Sequence, residues 1–181
     1  MRLFIAVNFT SESKKEIIEI QNKLRFFCTR GNFTKEENLH LTLAFLGETK
    51  EEKLNTLFKI MDEIKYPPFE ILFNSTGCFI HSFKELWWIG IDKKNSGFTT
   101  LEKIHKQLTN ALKQENFNVD LRPFNAHITL GREIKHSSPI VLKKPEVFIS
   151  VTRISLMVSE RINGKLTYTE IHNKKLLKEL L

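Results

Sequence analysis

The chain has 181 residues, 41% hydrophobic and 27% charged, with 28 Lys and Arg against 21 Asp and Glu for a net charge of +7. These proportions are near globular averages and exclude collagen-like, disordered and membrane-spanning chains. The length suits one domain over residues 1–181, large enough to bury a core without metal or disulfide staples. A pI near 9.4 favours phosphate-bearing partners, although the densest basic groups (Lys143 and Lys144, then Lys174, Lys175 and Lys178) are short.

In chain order, Leu3–Phe9 is a brief β-rich apolar run ended by polar residues and predicts a buried strand. Ile17, Ile20, Leu24 and Phe27 recur at helical spacing and predict a helix over Ser11–Cys28. Asn38–Leu46 predicts a strand. Thr49 and Glu52 have the spacing of a capping box ahead of a helix that buries Leu54, Leu57, Met61 and Ile64, and Pro67 and Pro68 end it. Phe69–Ile80 and Glu85–Ile91 read as a hairpin around His81–Lys84. Leu101, Ile104, Leu108 and Leu112 mark a third helix. A strand near Ala126–Arg132, a loop over Ser137–Pro145, and strands Val147–Ser159 and Lys165–Ile171 joined across Asn163 and Gly164 complete the chain. Strands and helices mix without regular βαβ alternation, so the expected class is α+β with largely antiparallel sheets.

Cys28 and Cys78 lie in no C-x-x-C or Cys/His cluster and read as buried reduced thiols. The apolar start, Met1–Phe9, is too short for a signal peptide or a membrane span. The expected location is the cytoplasm.

The tetrapeptide H-x-T-L occurs twice, as His40-Leu41-Thr42-Leu43 and as His127-Ile128-Thr129-Leu130, with the histidines 87 residues apart. Composition predicts far fewer than one copy, the offset is close to half the chain, and each copy falls in a predicted strand, so a duplicated lobe is expected. Alternation places His40 with Thr42, and His127 with Thr129, on one face, while Leu41, Leu43, Ile128 and Leu130 anchor the strands from behind. Related by a pseudo-twofold axis, the two strands would set their imidazoles across a groove. Imidazoles with pKa near 6.5 can hold opposite protonation states around neutrality, one taking a proton as the other gives one. Threonine hydroxyls can donate to non-bridging phosphate oxygens, and the motifs carry none of the carboxylates a magnesium or manganese site needs. The pattern points to acid/base chemistry at phosphate with no metal and no cofactor, and to a bell-shaped pH profile centred near neutrality.

The two motifs in their context resemble the two-histidine phosphoesterases and, within them, the RNA 2′,3′-cyclic phosphodiesterases, also called 2′-5′ RNA ligases. Met1–Val7 is similar to that family's opening strand, Glu37–Glu48 to its first motif and Phe124–Arg132 to its second. Trp88-Ile89-Gly90, Leu156–Ser159 and Tyr168-Thr169-Glu170 are also similar to family positions. Ala126 stands where the family often has proline, and Phe33 where it commonly has tryptophan. The resemblance implies a bilobal fold with the groove between lobes, His40 as proton donor, His127 as proton acceptor, and Arg132 near phosphate.

Strict alternation would put Arg132 on the face away from the histidines, so Gly131 or a strand end would have to turn it inward. Phe45 falls on the Leu43 face and is expected in the core. Trp87 and Trp88 must face opposite ways. His105, on the apolar stripe of the third helix, reads as structural, and His81, His136 and His172 read as surface residues. The expected activity is hydrolysis of an RNA-terminal 2′,3′-cyclic phosphate, on a tRNA fragment for instance, with reversible 2′-5′ ligation at the same site, by a monomer that touches no membrane. An RNA-binding module with incidental turnover and a small cyclic-nucleotide phosphodiesterase are the alternatives.

Overall fold

The structure, a computed structural model, describes residues 1–120 and 122–177. Lys178 lies outside the described residues. The elements are β1 (Arg2–Asn8), α1 (Ser11–Phe27), β2 (Cys28–Phe33), β3 (His40–Glu48), α2 (Leu54–Asp62), β4 (Phe69–His81), β5 (Lys84–Ile91), α3 (Ser96–Gln114), β6 (His127–His136), β7 (Val147–Val151), β8 (Arg153–Ile162) and β9 (Lys165–Lys175). They build two antiparallel sheets, ordered β3-β1-β8-β9 and β2-β6-β5-β4-β7. The α+β class and the two-sheet architecture are as expected.

Local chemistry sets the helices. The Thr10 side chain accepts from the Ser13 N–H at the start of α1, and Asn95 accepts from the Gly97 N–H at the start of α3. Ile17 and Leu24 of α1, and Leu101, Ile104, Leu108 and Leu112 of α3, are fully buried against the sheets. One continuous core joins these residues to Leu3, Ile5, Leu41, Leu43, Ile128, Leu130 and Leu156 from both sheets. The opposite face of the first sheet carries a small cluster of Phe4, Ala6 and Met157 packed by Tyr168. No helix among the described residues is long and apolar enough to cross a membrane.

Two expectations are corrected, and one strand is added. Thr49 donates its hydroxyl to the Gly47 carbonyl and caps nothing; a 3₁₀ turn over Glu51–Lys53 leads into α2, whose N-cap is Lys53. Val147–Ser159 is two strands broken at Thr152, because β7 pairs with β4 in one sheet and β8 with β1 in the other. The polar segment Cys28–Phe33, with no apolar alternation to announce it, forms β2 along the edge of β6.

The expected duplication appears as matching strand register. In β3 against β1, His40 pairs with Asn8, Thr42 with Ala6, Ala44 with Ile5 and Phe45 with Phe4, so Leu43 is an extra residue. In β6 against β5, His127 pairs with Gly90, Thr129 with Trp88, Gly131 with Trp87 and Arg132 with Leu86, so Leu130 is extra at the same place. A second shift follows in each strand, at Leu46 and at Glu133. The order strand–helix–strand (β1, α1, β3 and β5, α3, β6) is shared, with β2 inserted in the first unit.

Candidate active site

Each histidine is fixed by its own backbone approach. His40 Nδ1 lies 2.7 Å from the Asn38 carbonyl oxygen and His127 Nδ1 lies 2.7 Å from that of Asn125. A carbonyl only accepts, so Nδ1 carries the hydrogen in both rings and Nε2 is the nitrogen left for chemistry. In the neutral ring, His40 Nε2 accepts from the Thr42 hydroxyl at 3.0 Å. The asparagine two places before each histidine, Asn38 and Asn125, extends the repeat to N-x-H-x-T-L, a signal legible in the sequence. Asn38 is buried, and its amide donates to the Leu166 carbonyl at 2.9 Å, tying the approach of β3 to β9.

The bulge after each threonine decides what shares the groove face. One extra residue resets the alternation, so Leu43 with Ala44, and Leu130 with Gly131, are all buried, and the next side chain returns to the histidine face. In β6 that side chain is Arg132. Its charge depresses the basicity of both His40 and His127 and also reaches Tyr168, so it stands at the site despite the alternation argument. In β3 the equivalent is Phe45, which is 42% exposed and not in the core. The Arg2 guanidinium lies 5.2 Å from its ring centroid.

A bulge frees a backbone carbonyl, and each freed carbonyl finds a helix-borne donor. Leu43 O accepts from His105 Nδ1 of α3 at 2.7 Å, and Leu130 O accepts from Gln21 Nε2 of α1 at 2.8 Å and from the Thr34 N–H at 2.9 Å. His105, stacked on Phe124 at 4.1 Å, is structural as expected, with a definite task. Gln21 escaped the sequence reading, although a buried glutamine between Ile17 and Leu24 on an apolar stripe is the kind of polar intrusion that marks a required hydrogen bond.

Aromatic walls hold both imidazoles. Phe4 and Tyr168 lie 4.8 and 5.2 Å from His40, centroid to centroid. Phe79 and Trp88 lie 5.3 and 6.3 Å from His127. Trp88 lies flat because its bed is glycine: a Cβ on Gly77 would come within 2.3 Å of the indole and one on Gly90 within 2.7 Å. Trp87 turns to the other face and donates its Nε1–H to Glu85 at 2.7 Å.

Burial, reinforced by the charges of Arg132, His127 and Lys14, pushes His40 down to about 4 against the pull of the Asn38 carbonyl. Burial, and then Arg132, also lowers His127. The charges acting on the two rings are all positive, which suits an anionic substrate. His81 is exposed as expected, but His136 bonds Glu85 and the Ser138 carbonyl, and His172 stacks on Phe58 at 4.4 Å and bonds Asp62, so neither is a freely solvated surface group. Cys28 and Cys78 are free, half-buried thiols, and burial first raises both, Cys78 to about 11. That disfavours the thiolate a nucleophile needs.

Residues 7–82 match the LigT-like phosphoesterase family. An Archaeoglobus fulgidus protein named RNA 2′,3′-cyclic phosphodiesterase is 32% identical over 142 residues, covering 78% of this chain and 77% of that protein. The chain belongs to the LigT-like phosphoesterases. An Escherichia coli protein also named RNA 2′,3′-cyclic phosphodiesterase is 29% identical over 170 residues, covering 94% of this chain and 93% of the relative. Among solved structures, E. coli LigT complexed with 3′-AMP superposes with a TM-score of 0.85 at 29% identity and 98% coverage of both chains. The fold and the family resemblance read from the two motifs are thereby established.

Proposed function

We propose that this phosphoesterase opens the 2′,3′-cyclic phosphate at an RNA 3′ end to a 2′-phosphomonoester. The observation that carries the reading is the pair of imidazoles on equivalent bulged strands, each with Nδ1 tied to a carbonyl and Nε2 left for chemistry. The relatives named RNA 2′,3′-cyclic phosphodiesterase and the complex of E. coli LigT with 3′-AMP support the same substrate chemistry.

In this mechanism His127 Nε2 takes a proton from water as its oxygen bonds to phosphorus. The bond from phosphorus to O3′ breaks, and His40 Nε2–H delivers its proton to the departing oxygen. Thr42, Thr129 and Arg132 bind the non-bridging oxygens, where negative charge grows. A His40 pushed down to about 4 in the free protein holds its proton at neutral pH only once the phosphodiester anion is beside it, so substrate binding itself loads the acid. Phe45, exposed on the same face, offers its ring to a base. With a 5′-hydroxyl replacing water as the attacking group, the same opening of the ring, with O3′ leaving, joins two ends through a 2′-5′ linkage without ATP.

The proposed reaction calls for no metal, since the groups assigned to the phosphate are imidazoles, hydroxyls and a guanidinium, with none of the carboxylates that a magnesium or manganese ion prefers. Both histidines come from one chain, which supports a monomer acting on RNA ends such as tRNA fragments in the cytoplasm. The deciding experiment is turnover of an oligonucleotide ending in a 2′,3′-cyclic phosphate, with and without EDTA. A 2′-phosphate product at equal rates is expected, and binding without product overturns the reading.

A further inference from the structure

The two tight hairpins of this chain have the same backbone and opposite sequence logic. Ile162 pairs with Lys165 around Asn163 (φ 50°) and Gly164 (φ 77°), and His81 pairs with Lys84 around Ser82 (φ 47°) and Phe83 (φ 62°). Two-residue loops with positive φ at both positions favour Asn-Gly, which the first hairpin has. The second sets a bulky phenylalanine in the left-handed region, where such residues are rare outliers, and leaves it fully in water at 102% relative exposure. Unfavourable local choices of this kind mark sites kept for another purpose.

The position of that hairpin identifies the purpose. Phe79, four residues before the tip and 37% exposed, is the ring that packs on His127 and on Trp88. Phe79 and Trp88 thus line the His127 side of the hairpin, and Phe83 stands fully exposed at its tip. Lys84 flanks the tip, paired to Glu133, and Arg30 also acts on that carboxylate, while Glu85 is held by Trp87 and His136 on the other face of β5. From Trp88 to Phe83 is five strand residues, about 16 Å at roughly 3.3 Å each. That is the length of about five stacked nucleotides at roughly 3.4 Å.

We infer that the β4–β5 hairpin is a stacking arm for the single-stranded RNA immediately 5′ of the terminal nucleotide, with Phe83 as its outermost platform. The inference rests on the proposed RNA-end activity and adds what that activity leaves open: a preference for an RNA end over a cyclic mononucleotide that arises beyond the groove. Exposed aromatic rings on a chain of net charge +7 suit single strands, since base stacking on aromatic rings is tolerant of sequence and the backbone is drawn by charge.

The test replaces the strained pair by the residues the turn favours, Ser82→Asn with Phe83→Gly, so folding is protected and the melting temperature should stay or rise. With this variant, kcat/KM for a hexanucleotide ending in a 2′,3′-cyclic phosphate should fall about fivefold or more, while that for a 2′,3′-cyclic mononucleotide stays constant. Phe83→Tyr should keep hexanucleotide activity. No loss on the hexanucleotide, or an equal loss on both substrates, overturns the arm. Binding of a hexanucleotide with a plain 3′-phosphate gives a readout free of turnover. If the wild-type protein opens neither cyclic substrate, the activity reading has failed, and equal hexanucleotide affinity of wild type and variant then overturns the arm separately.

Discussion

The His40 and His127 halves of the groove share a frame and differ in filling. Both place the histidine after an asparagine whose carbonyl fixes Nδ1, both bulge after the threonine, and both satisfy the bulge carbonyl from a helix. The first half sets His40 deeper, bonds it to Thr42 and ends in Phe45; the second surrounds His127 with Phe79 and Trp88 and ends in Arg132. A symmetric frame thus carries an asymmetric pair. Two identical imidazoles would have no reason to divide the proposed work of acid and base, and the unequal burial and the single guanidinium would supply one.

The largest effect should come from breaking the pair itself. His40→Ala and His127→Ala should each lower kcat by about 10² to 10⁴, since each removes one proton transfer, and steady-state assays of the double variant should show a loss smaller than the product of the two. Near-full activity in either single variant would end the paired mechanism.

Arg132→Gln probes the asymmetry. Losing a charge-assisted bond to phosphate should cost about 1.5–3 kcal/mol in kcat/KM, on the order of ten- to a hundredfold. Because the Arg132 charge lowers both imidazoles, its removal should also move the pH profile to higher pH, which loss of binding alone would not do. For the wild-type protein, with both rings lowered, the bell in kcat/KM belongs to the pair and should centre below pH 6.5, on the acid side of the neutral optimum that unperturbed histidines imply. The kcat bell should lie higher, because bound phosphodiester favours the imidazolium. Measured profiles centred together at or above 7 would contradict the burial argument.

The supports of the two bulges should be separable. Gln21→Leu leaves the Leu130 carbonyl with the Thr34 N–H alone and should cost about 0.5–1.5 kcal/mol of stability in urea unfolding, whereas His105→Leu strips the side-chain donor from Leu43 and should cost about 1–3 kcal/mol. His105→Leu should disturb the His40 half and Gln21→Leu the His127 half, visible as opposite limbs of the pH profile changing.

A subtler test uses stability alone. The folded protein holds His40 near 4 whereas the unfolded chain titrates near 6.5, so between those values the unfolded state binds more protons. The contribution of His40 is therefore complete above about pH 6.5 and is lost as pH falls through about 4. His40→Ala should remove part of the acid-induced drop in melting temperature over that window, and an unchanged drop would show that His40 is not desolvated.

What the sequence determined by itself was what period and repetition encode. Apolar spacing delimits α1 and α3, two H-x-T-L copies in strand-like runs place His40, Thr42, His127 and Thr129, and the 87-residue offset announces the duplicated frame. Tertiary structure alone decided the faces beyond each threonine. A bulge is defined by which partner residue is skipped, so the return of Arg132 and Phe45 to the groove depends on β5 and β1, and no alternation count along β6 or β3 contains it. The same holds for β2, a polar strand formed because β6 has an open edge, and for the Thr152 break that sends β7 and β8 to different sheets. Gln21 and His105 follow the same rule: each residue type is visible in the helix, but the carbonyl that needs it exists only after two distant strands have slipped by one residue.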